Sequence, residues 1–138
     1  MNEGVKAVKV EGLDRLCIAV PNLKEGIDLF KKLLGLEFEF VGEATLPNGD
    51  TIKAAISNQG MELVEVPGRE IHFRSFHFKV KDMTEAKDWM QQNGVKVLSE
   101  FSVGQMDEMV LDLCGLRAIL INYPGNDPAA AAKGVAKE

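Results

Sequence analysis

Residues 13–38, LDRLCIAVPNLKEGIDLFKKLLGLEF, carry the fold in their spacing. Over Leu13–Val20 the side chains alternate, with Leu16, Ile18 and Val20 on one side and Arg15, Cys17 and Ala19 on the other. That is the period of a strand buried on at least one face. The period then changes. Asn22 stands where a helix N-cap belongs, and Glu25 follows three residues later in the capping-box position. Leu23, Ile27, Phe30 and Leu34 recur at helical spacing, and Gly35 is a natural stop. Beyond it the pattern predicts a strand over Leu36–Glu43, a turn at Pro47–Asp50, a strand over Thr51–Ile56, a turn at Asn58–Gly60 and a strand over Met61–Val66. Asn48-Gly49 between apolar runs is a strong hairpin signal. The unit reads β-α-β-β-β.

The plan then repeats. His72–Val80 (HFRSFHFKV) alternates with Phe76, Phe78 and Val80 on one face and Phe73, Ser75, His77 and Lys79 on the other. Asp82 and Glu85 stand 60 residues after Asn22 and Glu25, and Met83, Ala86 and Met90 match Leu23, Gly26 and Phe30 at the same offset. Gly94-Val95 matches Gly35-Leu36 after the loss of one residue, and strands are expected over Val95–Phe101, Asp107–Leu113 and Leu116–Tyr123. Repetition of a whole supersecondary unit reports architecture more firmly than any single motif. The fold class is therefore α+β, with two tandem β-α-β-β-β modules, 12–67 and 72–123, in one domain spanning residues 1–124. Residues 125–138, rich in alanine, have little to bury and are expected to form a mobile tail, although the alanines can carry a turn or two of helix.

Composition narrows the function. Hydrophobic residues make up 46% and charged residues 27% of the 138, as in an ordinary globular protein. The net charge of −5 argues against binding nucleic acid through its phosphates, and no apolar run approaches the ~20 residues of a membrane span. Cys17 and Cys114 match no metal or redox spacing and no export signal precedes them, so reduced thiols and a cytoplasmic location are expected. No Walker loop, dinucleotide fingerprint or serine-hydrolase motif occurs.

Each helix should cover one face of its module's sheet, leaving the opposite face concave. Arg15, Cys17, Ser75 and His77 point there from the leading strands. Glu62 and Val64 join them from the strand closing the first module, and Ile119 and Ile121 from the strand closing the second. The polar content of the cavity is then Arg15, Glu62, Ser75 and His77. Cys17 reads as core filling, having no activating base in its pattern. His72 has the opposite parity from His77 and reads as a surface residue.

The opening LDRLCIAVPNLKEGIDLFKKLLGLEF resembles that of the vicinal oxygen chelate superfamily, which includes glyoxalase I, methylmalonyl-CoA epimerase, extradiol dioxygenases and bleomycin-resistance proteins. The resemblance extends over about residues 12–123. It implies paired β-α-β-β-β modules around a ligand cavity and, in the metal-dependent members, divalent-metal ligands on the first and last strands of the modules. Those positions fall here on Arg15, Glu62, Ser75 and Ile119. Only Glu62 keeps a ligand type, because arginine has no lone pair, serine is a poor ligand and isoleucine offers none.

An isolated buried carboxylate is costly, so Arg15 is expected to pair with Glu62 where the metal would sit, keeping a spare donor face for an anionic or carbonyl-bearing ligand. No cofactor is expected on this reading, and the chain is a small-molecule-binding protein similar in kind to bleomycin-resistance proteins. Two other readings stay open. One is a lyase or isomerase, with Glu62 and His77 in a remodelled Zn, Ni, Mn or Fe site, or with Arg15 as electrophile and Glu62 or His77 as base. The other is a non-catalytic partner protein. The expected partners are a small molecule and a second copy of the chain in a homodimer.

Overall fold

The computed structural model describes residues 9–137; residues 1–8 and Glu138, which the sequence reading assigns to the domain and the tail, lie outside the described residues. The first module comprises β1 (Val10–Val20), α1 (Leu23–Leu34), β2 (Phe40–Thr45), β3 (Thr51–Ser57) and β4 (Met61–Glu65). The second comprises β5 (His72–Val80), α2 (Met83–Gln92), β6 (Lys96–Val103), β7 (Met106–Leu113) and β8 (Leu116–Asn122), and α3 (Pro128–Lys133) follows. Both N-caps form as the spacing predicts: Asn22 Oδ1 accepts from the Glu25 amide at 3.0 Å, and Asp82 Oδ1 from the Glu85 amide at 3.0 Å. Gly35 ends α1 in the left-handed region, at φ 67°.

The eight strands make one curled sheet in the order β2-β3-β4-β1-β5-β8-β7-β6. Each leading strand runs parallel to the closing strand of its own module, β1 with β4 and β5 with β8. The modules meet along an antiparallel β1/β5 seam within the one chain. Each helix covers the convex face of its module. Val20, Leu23, Ala55 and Leu63 pack with Ile27 and Phe30 under α1, while Val80, Ala86, Met109, Leu111 and Leu120 pack with Met83 and Met90 under α2. Gly26 sits so near β1 that an added Cβ would lie 2.9 Å from a Val20 methyl. Ala86, at the matching point of α2, is fully buried.

The seam is irregular. Its register shifts between Leu13 and Arg15 and again between Cys17 and Ile18, leaving Asp14 unpaired on β1 and Arg74 unpaired on β5. Bulges of this kind re-aim side chains that strict alternation would send elsewhere.

Two sequence expectations are corrected. The strand expected over Leu36–Glu43 begins at Phe40 and runs to Thr45. The turn after β3 supplies the bonding around residues 37–39: Glu37 N–H donates to Gln59 Oε1 at 2.9 Å, and Glu39 Oε1 accepts from the Asn58 amide at 2.8 Å. The second correction concerns the segment after residue 124, expected to be mobile with little to bury. It folds into α3, burying Pro128, Ala129, Ala131 and Ala132. Ala131 and Ala132 pack with Ile56, Met106, Ile121 and Tyr123. Both modules hold the helix. Asn58 donates to Asp127 and accepts from the Ala129 amide, while Gln105 N–H donates to Ala131 O at 2.9 Å.

Gly104 makes that approach achievable. Its φ is +57°, and a Cβ there would lie 2.4 Å from Ala132 O and 2.5 Å from Ala131 O. Gly104→Ala should therefore displace α3 and cost roughly 1–3 kcal/mol, the scale of overpacking and strained backbone. Urea unfolding would measure the loss, and faster amide exchange at Ala131 and Ala132 would locate it; unchanged exchange would mean that the helix is not seated as described.

Candidate functional site

The concave face encloses a cavity of about 330 Å³. Strand β1 contributes Arg15 and Cys17, β4 contributes Glu62 and Val64, β5 contributes Ser75 and His77, and β8 contributes Ile119. Seven of the eight residues that alternation aims at the concave face therefore line one space. Ile121 does not. It shares the parity of Ile119 but lies beneath α3, in the cluster with Tyr123 and Ala131.

Arg15 is 1% exposed and lies at the centre. Its Nε donates to Glu62 Oε1 at 2.8 Å, and NH2 lies 2.8 Å from the same oxygen. NH1 reaches Asp14 Oδ2 at 2.5 Å, and NH2 also faces the Met106 sulfur at 3.9 Å. Tyr123 closes the chain by donating its hydroxyl to Asp14 Oδ1 at 2.5 Å. The expected Arg15–Glu62 pair is present. All three guanidinium nitrogens already face a carboxylate or the Met106 sulfur, so little of the expected spare donor face is left.

Burial works against a charged Arg15, yet Glu62, Glu108 and Asp14 together outweigh it and raise the guanidinium above its ordinary pKa. The neighbours respond in kind. Burial, and then the Arg15 cation, push His77 down to about 3, so its imidazole is neutral at physiological pH. Burial raises Glu108 to about 7, with Arg15 opposing and Asp14 adding to the rise. Burial and the nearby Glu62 raise the Cys17 thiol, which contacts Glu62 Oε2 at 3.5 Å and is no ready nucleophile.

His77 Nε2 is 3.5 Å from Glu108 Oε1 and 4.0 Å from Glu62 Oε2, but neither ring nitrogen makes a hydrogen bond. With the ring neutral, these are near approaches rather than ion pairs. Ser75 Oγ is likewise buried without a partner. Three unpartnered polar atoms on one strand facing one cavity are unusual, since each leaves a desolvation cost unrecovered.

Sequence reasoning did not name Asp14, Arg74, Met106, Glu108 or Arg117 as site residues. Glu108 follows the parity of Met106 and Val110, so alternation carried its signal. Asp14 and Arg74 are the bulged residues, which alternation assigns to the wrong face.

The architecture is that of two βαβββ modules curled round one pocket, and the chain belongs to the Glyoxalase/Bleomycin resistance protein/Dioxygenase superfamily, whose model matches residues 12–117. Among solved structures it is similar to the methylmalonyl-CoA epimerase of Mycobacterium tuberculosis, at 18% identity and a TM-score of 0.71 over 93% of this chain and 98% of that one. A Streptomyces coelicolor methylmalonyl-CoA epimerase in complex with 2-nitronate-propionyl-CoA gives 16% identity and a TM-score of 0.69 over 85% and 100%. A hypothetical protein from Bacillus halodurans gives 19% and 0.64 over 87% and 97%. A search of curated proteins found no match.

The donor set does not fit the metal of the metal-dependent members. Of their four positions only Glu62 offers a ligand, and its two oxygens face Arg15 and Cys17. Among the described residues no group of three His, Cys, Asp or Glu is placed to hold a metal ion. A divalent ion on Glu62 would also meet the guanidinium at close range, where repulsion amounts to several kcal/mol even at an effective dielectric of about 20.

Two outcomes follow. Arg15→Met would strand buried carboxylates and should cost about 3–5 kcal/mol in urea unfolding, with Arg15→Met/Glu62→Gln recovering part of it. A cost below about 1 kcal/mol would show that the pair does not hold the site together.

Glu108 has the second signature. Its ordinary value is 4.5 and its folded value about 7, so the stability it contributes is complete below pH 4.5 and lost as pH rises through about 7. Relative to Glu108→Gln, the native protein should lose on the order of 3 kcal/mol between pH 4.5 and 8. Parallel stability profiles for the two proteins would place Glu108 in water instead.

Proposed function

We propose that this chain binds a small anionic or carbonyl-bearing molecule between its modules and does so without the metal centre of its metal-dependent relatives. The observation that carries the metal-free part of this reading is the buried Arg15 guanidinium seated on Glu62, a fixed cation at the retained ligand position. The unpartnered Ser75 Oγ and His77 nitrogens support it from the ligand's side, because an oxygen docked there would recover hydrogen bonds the empty cavity forgoes. Apolar walls with a few convergent polar groups suit a binding site. One of the similar epimerase structures is in complex with methylmalonyl-CoA, a carbonyl-bearing ligand. Cys17 and Cys114 are free, which suits a reducing compartment.

A second reading, a lyase or isomerase, is favoured by one observation. Glu108 holds its proton up to near neutrality within 3.5 Å of a neutral His77. Together with Glu62, these groups could move a proton beside a bound carbonyl.

Protein purified without chelator should contain far less than one equivalent of Zn, Ni, Mn or Fe by elemental analysis, and EDTA should leave its melting temperature unchanged. A stoichiometric metal would overturn the metal-free reading. A thermal-shift screen of short-chain and aromatic carboxylates should yield a stabiliser. A ligand at 100 times its Kd adds about 2.7 kcal/mol, a rise on the order of 10 °C for a domain of this size.

A further inference from the structure

Every nitrogen of Arg15 already faces a carboxylate or the Met106 sulfur, so a ligand's charge calls for a further partner. Two further arginines line the space. Arg74 is the residue bulged out of β5 and is half-buried, and Arg117 on β8 is exposed at the rim. Strands β5 and β8 are parallel with Phe76 opposite Ala118, so Arg117 lies beside Ser75 and next to Arg74. The two cations sense each other: after burial, Arg117 is the largest influence loosening Arg74's proton, and Arg69 adds to it. Among the described residues neither Arg74 nor Arg117 makes an ion pair, although the chain carries five more acidic than basic side chains. Like charges held together unpaired are unfavourable unless an anion joins them.

From the rim inward, β5 presents Arg74, then the fully buried Ser75, then the fully buried His77, the last two with their polar atoms unpartnered. Phe40, Ile52, Phe101 and Val110 supply apolar walls. A volume of about 330 Å³ is at the lower end of ligand pockets, which run from about 300 to 1,000 Å³.

We propose that the cavity takes a small apolar organic acid, one ring or a short chain in size, whose carboxylate or phosphate is clamped at the rim by Arg74 and Arg117 while an inner oxygen meets Ser75 and His77. The proposal rests on the ligand-binding reading above and names its substrate class. Arginine suits the task because its planar fork matches either anion with two parallel hydrogen bonds.

Matched pairs of probes test it: phenylacetate against phenylacetamide, and hexanoate against hexanamide, with phenyl phosphate as the second head group. Binding is measured by calorimetry, and amide NMR shifts at Ser75, His77 and Ile119 report occupancy of the cavity. At least one acid should bind about 10-fold or more tighter than its amide and weaken as salt rises. Arg74→Gln and Arg117→Gln should each cost that acid roughly 10-fold and leave the amide within about 2-fold, on the scale of one charge-assisted hydrogen bond. A preference between phenylacetate and phenyl phosphate supports the proposal and names the head group. Amides binding as tightly as acids, or a double variant that keeps full affinity for the acid, would overturn it while leaving the binding reading intact. Failure of every probe to move the Ser75, His77 and Ile119 amides would overturn both.

Discussion

The site is organised around one buried cation. Removing a guanidinium from water costs several kcal/mol, and that cost is recovered only where good geometry and opposite charge surround it. Arg15 has both, with Glu62 on one side and Asp14 on the other. Its field then sets the chemistry of the groups around it, opposing protonation of His77 and favouring the charge of Glu108 against a larger burial effect. Asp14 is in turn fixed by Tyr123, whose hydroxyl is itself raised by burial and by that hydrogen bond. The pocket floor is thus a connected polar network in which no member can be exchanged without disturbing the next.

Where strands are regular, this arrangement is legible from spacing alone. Period-two parity places Arg15, Cys17, Glu62, Ser75, His77 and Ile119 on the concave face, and all six line the cavity. The helix caps Asn22 and Asp82 are equally local, needing only one amide three residues on. Parity fails at the β1/β5 seam, because Asp14 and Arg74 are extra residues in a register that no single strand specifies. Bulges are set by how two strands 60 residues apart agree to twist, and that is information of the pair. Glu108 is an intermediate case: its alternation with Met106 and Val110 is visible, but its role depends on His77 arriving from another strand.

The alanines after Pro128 failed as a core signal for a different reason. A methyl group buries little, so a run of alanines looks idle in any hydropathy count. Their value lies in thinness. A larger side chain at Ala131 or Ala132 would hold α3 away from Gly104, whose missing side chain leaves room for the helix backbone. The same helix explains Ile121, which the strand aims at the cavity and α3 removes from it.

That strap also bears on the order of assembly. Asn58 and Asp127 are 69 positions apart, and their side chains join the first module's last turn to a segment that follows the whole second module. Contacts of such long range form late, since the intervening loop must be ordered first. During synthesis, a chain that had already folded its two modules would still expose Ile56, Met106 and Tyr123 until α3 emerged from the ribosome. Helix α3, made after both modules, covers that end by packing its alanines on the same residues.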